Sequence, residues 1–158
     1  MEDYPNAIKS LNKVLSIDTN YVDAYFNRAI CYKKSNHFNL AISDFNIVYS
    51  LDSTRIDALF EQARYFMDNN YIKEAEQLFL KILILSPNHV QSAYELGVLN
   101  YLQKDYNTAI SSFTRCIEID NRHAYAFHDR GSCYRLMEEF DKALDDYLSA
   151  IKIAPKSF

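Results

Sequence analysis

Glycine and proline are scarce in this sequence. The 158 residues include only two glycines and three prolines, and tryptophan is absent. A loop that cradles a phosphate group needs two or three glycines within about six residues, whereas Gly97 and Gly131 lie far apart in the chain. The scarcity therefore excludes a nucleotide site of that type. It also predicts short loops in which left-handed turns are rare, and it favours helices joined by tight corners.

Excess positive charge and long hydrophobic runs are also missing. The net charge is -4 and the isoelectric point is near 5.5, so the chain has no general attraction for nucleic acid. No segment approaches the roughly 18 apolar residues that a membrane span requires, and the first residues do not resemble a signal peptide. These absences predict an intracellular protein, cytoplasmic or nuclear, that binds neither nucleic acid nor the membrane interior.

One octet recurs along the chain at a constant interval of 34 residues. Its five copies are YPNAIKSL, FNLAISDF, IKEAEQLF, YNTAISSF and FDKALDDY. Alignment on their shared alanine divides the chain into a half unit, residues 1–21, and four whole units, residues 22–55, 56–89, 90–123 and 124–157. Repetition at this period is typical of stacked structural repeats.

The spacing of large and small side chains predicts a pair of helices in each whole unit. Bulky residues stand three positions before and four positions after each octet alanine, and these offsets describe one face of an α-helix. A second stripe precedes the octet, and its middle residue is always small: Ala29, Ala63, Gly97 or Gly131. Glycine inside a helix costs about 1 kcal/mol relative to alanine, so we expect it to permit a close approach between paired helices.

Each unit thus contains a small residue, then the pattern aromatic-x-x-Ala-x-x-x-aromatic, then a turn that often carries proline. This arrangement resembles the tetratricopeptide repeat, whose period is 34 residues. The resemblance covers the whole chain and implies an all-α fold. The expected architecture is one domain, a right-handed superhelical solenoid of nine helices, paired antiparallel except for the first. Two departures stand out: the family's tryptophan is absent, and its leucine is replaced by Arg28, Gln62 and Arg130, with only Leu96 matching.

The resemblance also implies that the first helix of each pair lines a concave groove. Two columns of this groove are nearly uniform, one aromatic and the next acidic, which predicts a peptide with apolar anchors and Lys or Arg. Binding to the C-terminal carboxylates of chaperones is disfavoured, because the basic residues of that site are not present. Binding by the convex face or the loops, or a purely architectural role, stays open. The candidate groove residues are Phe26, Asn27, Lys33, Phe60, Glu61, Arg64, Tyr94, Glu95, Tyr101, His128, Asp129 and Arg135.

No catalytic or metal-binding pattern emerges. The four histidines form no HxxxH pair, so we expect no metal and no cofactor. Asp145 and Asp146 are adjacent and suggest solvated charge. The three cysteines, Cys31, Cys116 and Cys133, lack CxxC spacing and are predicted to be reduced core thiols.

The predicted function is that of a noncatalytic protein-interaction scaffold or adaptor. The alternative is the substrate-recruiting or client-recruiting arm of a larger enzyme or co-chaperone. The repeat pattern begins and ends without a polar capping helix, which solenoids usually need. This suggests a fragment of a longer chain, or self-association through the uncapped ends.

Overall fold

The computed structural model describes residues 3–157, and these residues form nine α-helices and no strand. The helices that begin the four whole units each have 13 residues, and the others each have 14. The prediction of an all-α fold is confirmed. The helices are α1 (Tyr4–Ile17), α2 (Val22–Lys34), α3 (Phe38–Leu51), α4 (Ile56–Asp68), α5 (Ile72–Leu85), α6 (Val90–Leu102), α7 (Tyr106–Ile119), α8 (Ala124–Leu136) and α9 (Phe140–Ile153).

The corner inside each helix pair contains a residue with left-handed backbone. The φ angle is 62° to 63° at the four equivalent positions Asn36, Asn70, Lys104 and Glu138. The expectation that left-handed turns would be rare because glycine is scarce is therefore wrong. Asparagine tolerates this conformation through its short polar side chain, whereas lysine and glutamate are held in it by the helices on either side.

Aspartates close the corners that follow α1, α3 and α7. A side-chain oxygen of Asp18, Asp52 and Asp120 accepts a hydrogen bond from the backbone amide two residues later, at 2.9, 2.9 and 3.0 Å. This bond imitates a backbone turn and ends the helix at a defined residue. The hydrogen bonds of Asp52 to Thr54 lower the pKa of its carboxyl group.

The first of two compact units ends at Tyr65, within α4. Its core combines small and large side chains, because Ala29, Ala41 and Ala58 are buried together with Phe45 and Val48. The small residues let the helices approach, and the large ones fill the space between them. The interlocking that the octet predicts is observed here.

The second unit begins at Phe66 and contains α5 to α9. Its largest fully buried side chains include Phe79, Ile82, Leu99 and Phe113. Gly97 faces Phe113 so closely that a Cβ atom there would lie 2.6 Å from the ring. The expectation that the helix glycines permit close approach is confirmed at this position.

At two positions where the family has leucine, a half-buried arginine pairs with a buried aspartate. Arg28 donates two hydrogen bonds to Asp44, at 2.7 and 2.8 Å, and Arg130 donates two to Asp146, also at 2.7 and 2.8 Å. Asp146 is only 5% exposed, so its interpretation as solvated charge is wrong. The adjacent Asp145 is exposed as expected. The hydrogen bond to the paired carboxylate raises the pKa of each guanidinium.

The cysteines divide into two environments. Cys116 and Cys133 are fully buried free thiols, and burial raises the pKa of each to about 12. Cys31 is half-buried instead. The prediction of core thiols is therefore confirmed for two residues and wrong for Cys31, because its position on α2 is less completely covered than the equivalent position of Cys133 on α8.

Candidate peptide-binding site

The two predicted groove phenylalanines of the first unit are half-buried. The ring of Phe26 meets that of Phe45 edge-on, with centroids 5.7 Å apart. The guanidinium of Arg55 lies over the Phe26 ring, 4.7 Å from its centroid. A core contact and a cation both hold this aromatic ring in place. Phe60 is the equivalent residue of α4.

Arg55 forms ion pairs with the acidic residues at the starts of α2 and α4. It bonds Asp23 at 2.7 Å and Asp57 at 2.9 Å. These hydrogen bonds, chiefly the one to Asp57, raise the pKa of the guanidinium. Sequence reasoning missed this role, because Arg55 lies in a corner, outside the helix periods that identify the groove positions.

The remaining predicted groove residues of the first unit are polar. Lys33 and Glu61 form an ion pair at 2.6 Å, with side chains 22% and 29% exposed. Asn27 and Arg64 are exposed. The carboxylate of Glu61, predicted to attract a basic ligand, therefore already has a basic partner within this unit.

In the second unit, Tyr94, His128 and Asp129 form a connected network. The Tyr94 hydroxyl donates to one carboxylate oxygen of Asp129 at 2.8 Å, and Nδ1 of His128 lies 2.9 Å from the other. Burial, followed by the bond to Asp129, raises the pKa of Tyr94. The predicted acidic column thus contributes a carboxylate that is hydrogen-bonded to neighbouring groove residues.

Ring contacts hold the aromatic groove residues of this unit in place. The Tyr94 ring packs against Phe113 and His123, with centroids 5.8 and 4.8 Å apart. His128 packs against Tyr147 at 5.4 Å. Phe113 is fully buried, whereas Tyr94 and His128 are half-buried, so the two groove rings are held by core contacts while part of each stays exposed. The contact of His123 was not anticipated, because it precedes α8 and lies outside the groove columns.

The ends of α6 and α8 are more open. Tyr101 is half-buried and packs against Tyr106 with ring centroids 5.9 Å apart. Next to it in the chain, Leu102 is 62% exposed. Arg135 is exposed at the position on α8 that corresponds to Tyr101, and Glu95 is half-buried on α6. Helix α6 therefore offers Tyr101 and Leu102 at the positions where α2 offers Lys33 and Lys34.

The predicted site residues divide between the two units. Phe26, Asn27, Lys33, Phe60, Glu61 and Arg64 belong to the first unit, and Tyr94, Glu95, Tyr101, His128, Asp129 and Arg135 belong to the second. Each set lies on first helices, as the columns predict. Their electrostatics differ, because the first set uses ion pairs and the second a hydrogen-bonded aromatic network.

Metal ligands do not converge among residues 3–157: no group of three His, Cys, Asp or Glu side chains is placed to hold an ion. In the same part of the chain, no helix combines the length and the apolar character needed to cross a membrane.

Sequence profiles of one family match three of the repeats. Two profiles, both described as tetratricopeptide repeat, match residues 22–55 and 90–123 in one case and residues 124–157 in the other. Among curated protein sequences, none matches the chain significantly.

Several solved structures share the fold. A crystal structure of MamA has a TM-score of 0.86 and 21% identity, with 98% of this chain and 90% of that chain covered. The tetratricopeptide-repeat protein YrrB has a TM-score of 0.78 and 22% identity, covering 98% and 80%. PilF of Pseudomonas aeruginosa has a TM-score of 0.82 and 18% identity, covering 96% and 69%. These likenesses show an all-α helical-repeat solenoid.

Proteins built from this repeat bind protein or peptide partners and are generally noncatalytic scaffolds. The octet period, the paired helices, the matched profiles and the shared fold agree with one another. The chain belongs to the tetratricopeptide repeat family.

Proposed function

We propose that this chain is a noncatalytic scaffold that binds a peptide segment on the first-helix face of its second unit. We define the α6/α8 face by six residues on these two helices. They are Tyr94, Tyr101, Leu102, His128, Asp129 and Arg135.

One observation carries the proposal: the aromatic residues of this face are held rigidly and remain partly open to solvent. Tyr94 and His128 rest on Phe113 and Tyr147 and are half-buried. A ring that is already fixed loses little conformational freedom when a ligand covers it, and aromatic residues contribute most of the binding energy at many interfaces. Surfaces of this kind suit apolar anchor residues.

The charges on this face refine the expected ligand. Asp129 is hydrogen-bonded to Tyr94 and His128, so a basic ligand residue would have to compete with those bonds. Arg135 is exposed at the end of α8 and offers a cation to an acidic ligand residue. We therefore expect apolar anchors to dominate affinity, with Lys or Arg contributing less than the acidic column suggested.

A protein of similar fold supports the proposal of a peptide-binding role. YrrB is described as a tetratricopeptide-repeat protein with an unusual peptide-binding site. Its identity of 22% supports a shared fold only, so the residues of the site proposed here stand on the geometry of α6 and α8.

Peptide selection on the intact protein tests the proposal. Peptides are selected from a random library, and their dissociation constants are measured by isothermal titration for the wild type, for Leu102→Asp and for Leu80→Asp. Leu102 is 62% exposed. Leu80, on α5, is 45% exposed and borders a cleft beside Leu96, so circular dichroism melts check that both variants are folded. We expect Leu102→Asp to weaken binding at least about tenfold, with Leu80→Asp close to wild type.

Two further variants separate the contributions. Tyr94→Phe removes only the hydroxyl that bonds Asp129 and is expected to leave peptide affinity within a few-fold. His128→Ala removes a ring of the face and is expected to weaken binding. Selected peptides that bind both Leu102→Asp and His128→Ala as tightly as the wild type would place the binding surface elsewhere.

We also propose a reducing, cytoplasmic location. Cys116 and Cys133 are free thiols, and both are fully buried with a raised pKa. Such thiols suit a compartment where disulfides do not form. Detection of the native protein in an oxidising compartment would contradict this location.

A further inference from the structure

The outer face of α9 carries a continuous stripe of exposed apolar side chains. Phe140, Leu144, Leu148 and Ile151 are 63%, 57%, 55% and 44% exposed. Their spacing of four, four and three residues places them on one side of the helix. We call these four residues the α9 stripe. Contiguous apolar patches of this kind mark interaction sites on proteins.

The same unit shows how such a stripe is covered elsewhere. The equivalent residues of α7 are Tyr106, Ile110, Thr114 and Ile117, and all four are half-buried. Helix α8 packs against α7, and Arg130 of α8 donates a hydrogen bond to Thr114 at 3.0 Å. These four α7 residues are therefore covered by the neighbouring helix α8. Among residues 3–157, no helix covers the equivalent face of α9.

Charge is distributed unequally along the flank of the stripe. Asp141 lies at the beginning of α9 and Lys152 at its end, and both are exposed. At about 100° per residue the two side chains project from the same flank of the stripe. Asp145 lies farther around this flank and is also exposed.

We propose that the α9 stripe is an interface between two copies of this chain, with the two α9 helices packed antiparallel about a two-fold axis. The stripe is self-complementary in this arrangement. Phe140 meets Ile151 of the second copy, and Leu144 meets its Leu148. The same operation places Asp141 opposite Lys152 of the second copy, twice per dimer, as an isologous contact requires.

The size of the stripe predicts a modest affinity. Four half-exposed side chains supply on the order of 400 Å² of apolar surface per copy, or about 800 Å² in total. This is smaller than the interfaces of stable complexes and typical of weak, transient ones. We expect a dimer that dissociates on dilution and forms at about 100 μM protein or above.

Sedimentation velocity on the wild-type protein, over a range of concentrations, is the first test. Leu144→Glu places a charge at the centre of the interface and is expected to weaken dimerisation at least tenfold. Leu80→Glu is the matched control, because Leu80 is 45% exposed on α5, and it is expected to dimerise as the wild type does. Circular dichroism melts confirm that both variants are folded.

A charge exchange tests the antiparallel arrangement itself. Asp141→Lys alone and Lys152→Asp alone are expected to weaken the dimer, because each places like charges opposite each other. The double variant Asp141→Lys/Lys152→Asp is expected to restore it. A wild-type protein that stays monomeric up to about 500 μM, well above the range expected for this interface, would overturn the proposal. So would a Leu144→Glu protein that still dimerises, or a double variant that stays as weak as the single ones.

These outcomes are independent of the peptide-binding proposal. The α9 stripe shares no residue with the α6/α8 face, so Leu144→Glu is expected to leave peptide affinity unchanged while it removes the dimer. Conversely, Leu102→Asp is expected to affect peptide binding alone.

Discussion

Two helix pairs of the second unit, α6–α7 and α8–α9, follow the same column pattern with different chemistry. In α8–α9, Arg130 bonds Asp146 of its own pair and Thr114 of α7. In α6–α7, the position of Arg130 is occupied by Leu96, which is 7% exposed. Leu96 lines a cleft of about 200 Å³ together with Leu80 and Ser112. These two residues stand at the positions that Thr114 and Asp146 occupy in the next repeat.

The comparison shows what this position requires. The arginine and the aspartate occur together, and where the arginine is absent the partner is also uncharged. The same rule holds in the first unit, where Arg28 bonds Asp44 and also Asn12. The shared requirement is therefore that no buried charge is left unpaired, because an unpaired buried charge is far more costly than a change from a polar to an apolar pair.

The largest expected effect comes from breaking the buried pair of α8–α9. Asp146→Ala leaves the half-buried Arg130 guanidinium without its carboxylate, and we expect the free energy of unfolding to fall by about 3 to 5 kcal/mol. The matched change Ser112→Ala in α6–α7 removes only a neutral hydroxyl and is expected to cost less than about 1.5 kcal/mol. Urea denaturation of both variants measures the difference.

A double replacement sharpens this prediction. Arg130→Leu combined with Asp146→Ser copies Leu96 and Ser112 into α8–α9. Because neither charge remains, we expect most of the loss seen in Asp146→Ala to be recovered, to within about 2 kcal/mol of wild type. Equal instability of the double and single variants would show that the two pairs are not interchangeable.

The two helix glycines give the next largest contrast. A Cβ atom on Gly97 would lie 2.6 Å from ring carbons of Phe113, whereas one on Gly131 would approach Tyr147 at 3.1 Å and the Ala143 carbonyl oxygen at 3.2 Å. We expect Gly97→Ala to destabilise by about 1 to 3 kcal/mol. For Gly131→Ala the smaller overlap opposes a gain in helix propensity of about 1 kcal/mol, so the net change is expected to be smaller. Thermal melts that rank the two variants in the opposite order would contradict this geometry.

A smaller effect of opposite sign is expected at Ser92. This residue is fully buried and its hydroxyl has no hydrogen-bond partner, whereas the equivalent residue of α8 is the fully buried Ala126. Ser92→Ala removes an unsatisfied polar group, and we expect the protein to gain about 1 kcal/mol. The reverse change, Ala126→Ser, should cost a similar amount. Chemical denaturation checks both, and a loss of stability in Ser92→Ala would contradict the assignment.

The smallest expected effect concerns the histidines that cap α6 and α8. Nδ1 of His89 accepts a hydrogen bond from the Ser92 amide at 3.1 Å, and Nδ1 of His123 accepts one from the Ala126 amide at 3.1 Å. Burial lowers the pKa of His89, so below its ordinary pKa of about 6.5 the unfolded state binds more protons than the folded state. This contribution to stability is present above that pH and is lost as the pH falls from it through the lower pKa of the folded state.

Melting temperatures measured between about pH 5 and pH 8, a range that spans the ordinary histidine pKa, test this contribution. His89→Asn keeps a capping side chain and is expected to reduce the loss of stability at acid pH. His123→Asn makes the matching change at α8 and controls for the replacement of a capping histidine. An unchanged pH profile in His89→Asn would mean that another group is responsible.

Much of the fold could be predicted because the signals are local and periodic. Octet alanines such as Ala75 and Ala109 stand at fixed spacing and are fully buried as expected. Corner aspartates such as Asp52 bond to amides two residues away, so their role is readable from neighbouring positions. Placement of the candidate site on first helices follows from the same columns.

The charged and polar contacts could not be predicted in the same way. Asp146 pairs with Arg130, Glu61 with Lys33 and Asp129 with Tyr94, and each pair joins residues on different helices. A column shows that a position is acidic, but it does not show which side chain from another helix reaches it.

The sequence by itself determined the 34-residue period, the helix type and the columns of small and large residues, because helical spacing and side-chain volume are properties of neighbouring positions. Only the tertiary structure decided which charges neutralise one another, which corner residues accept left-handed backbone and which apolar faces stay exposed. Those outcomes depend on distances of a few ångströms between side chains on separate helices, and packing alone sets such distances.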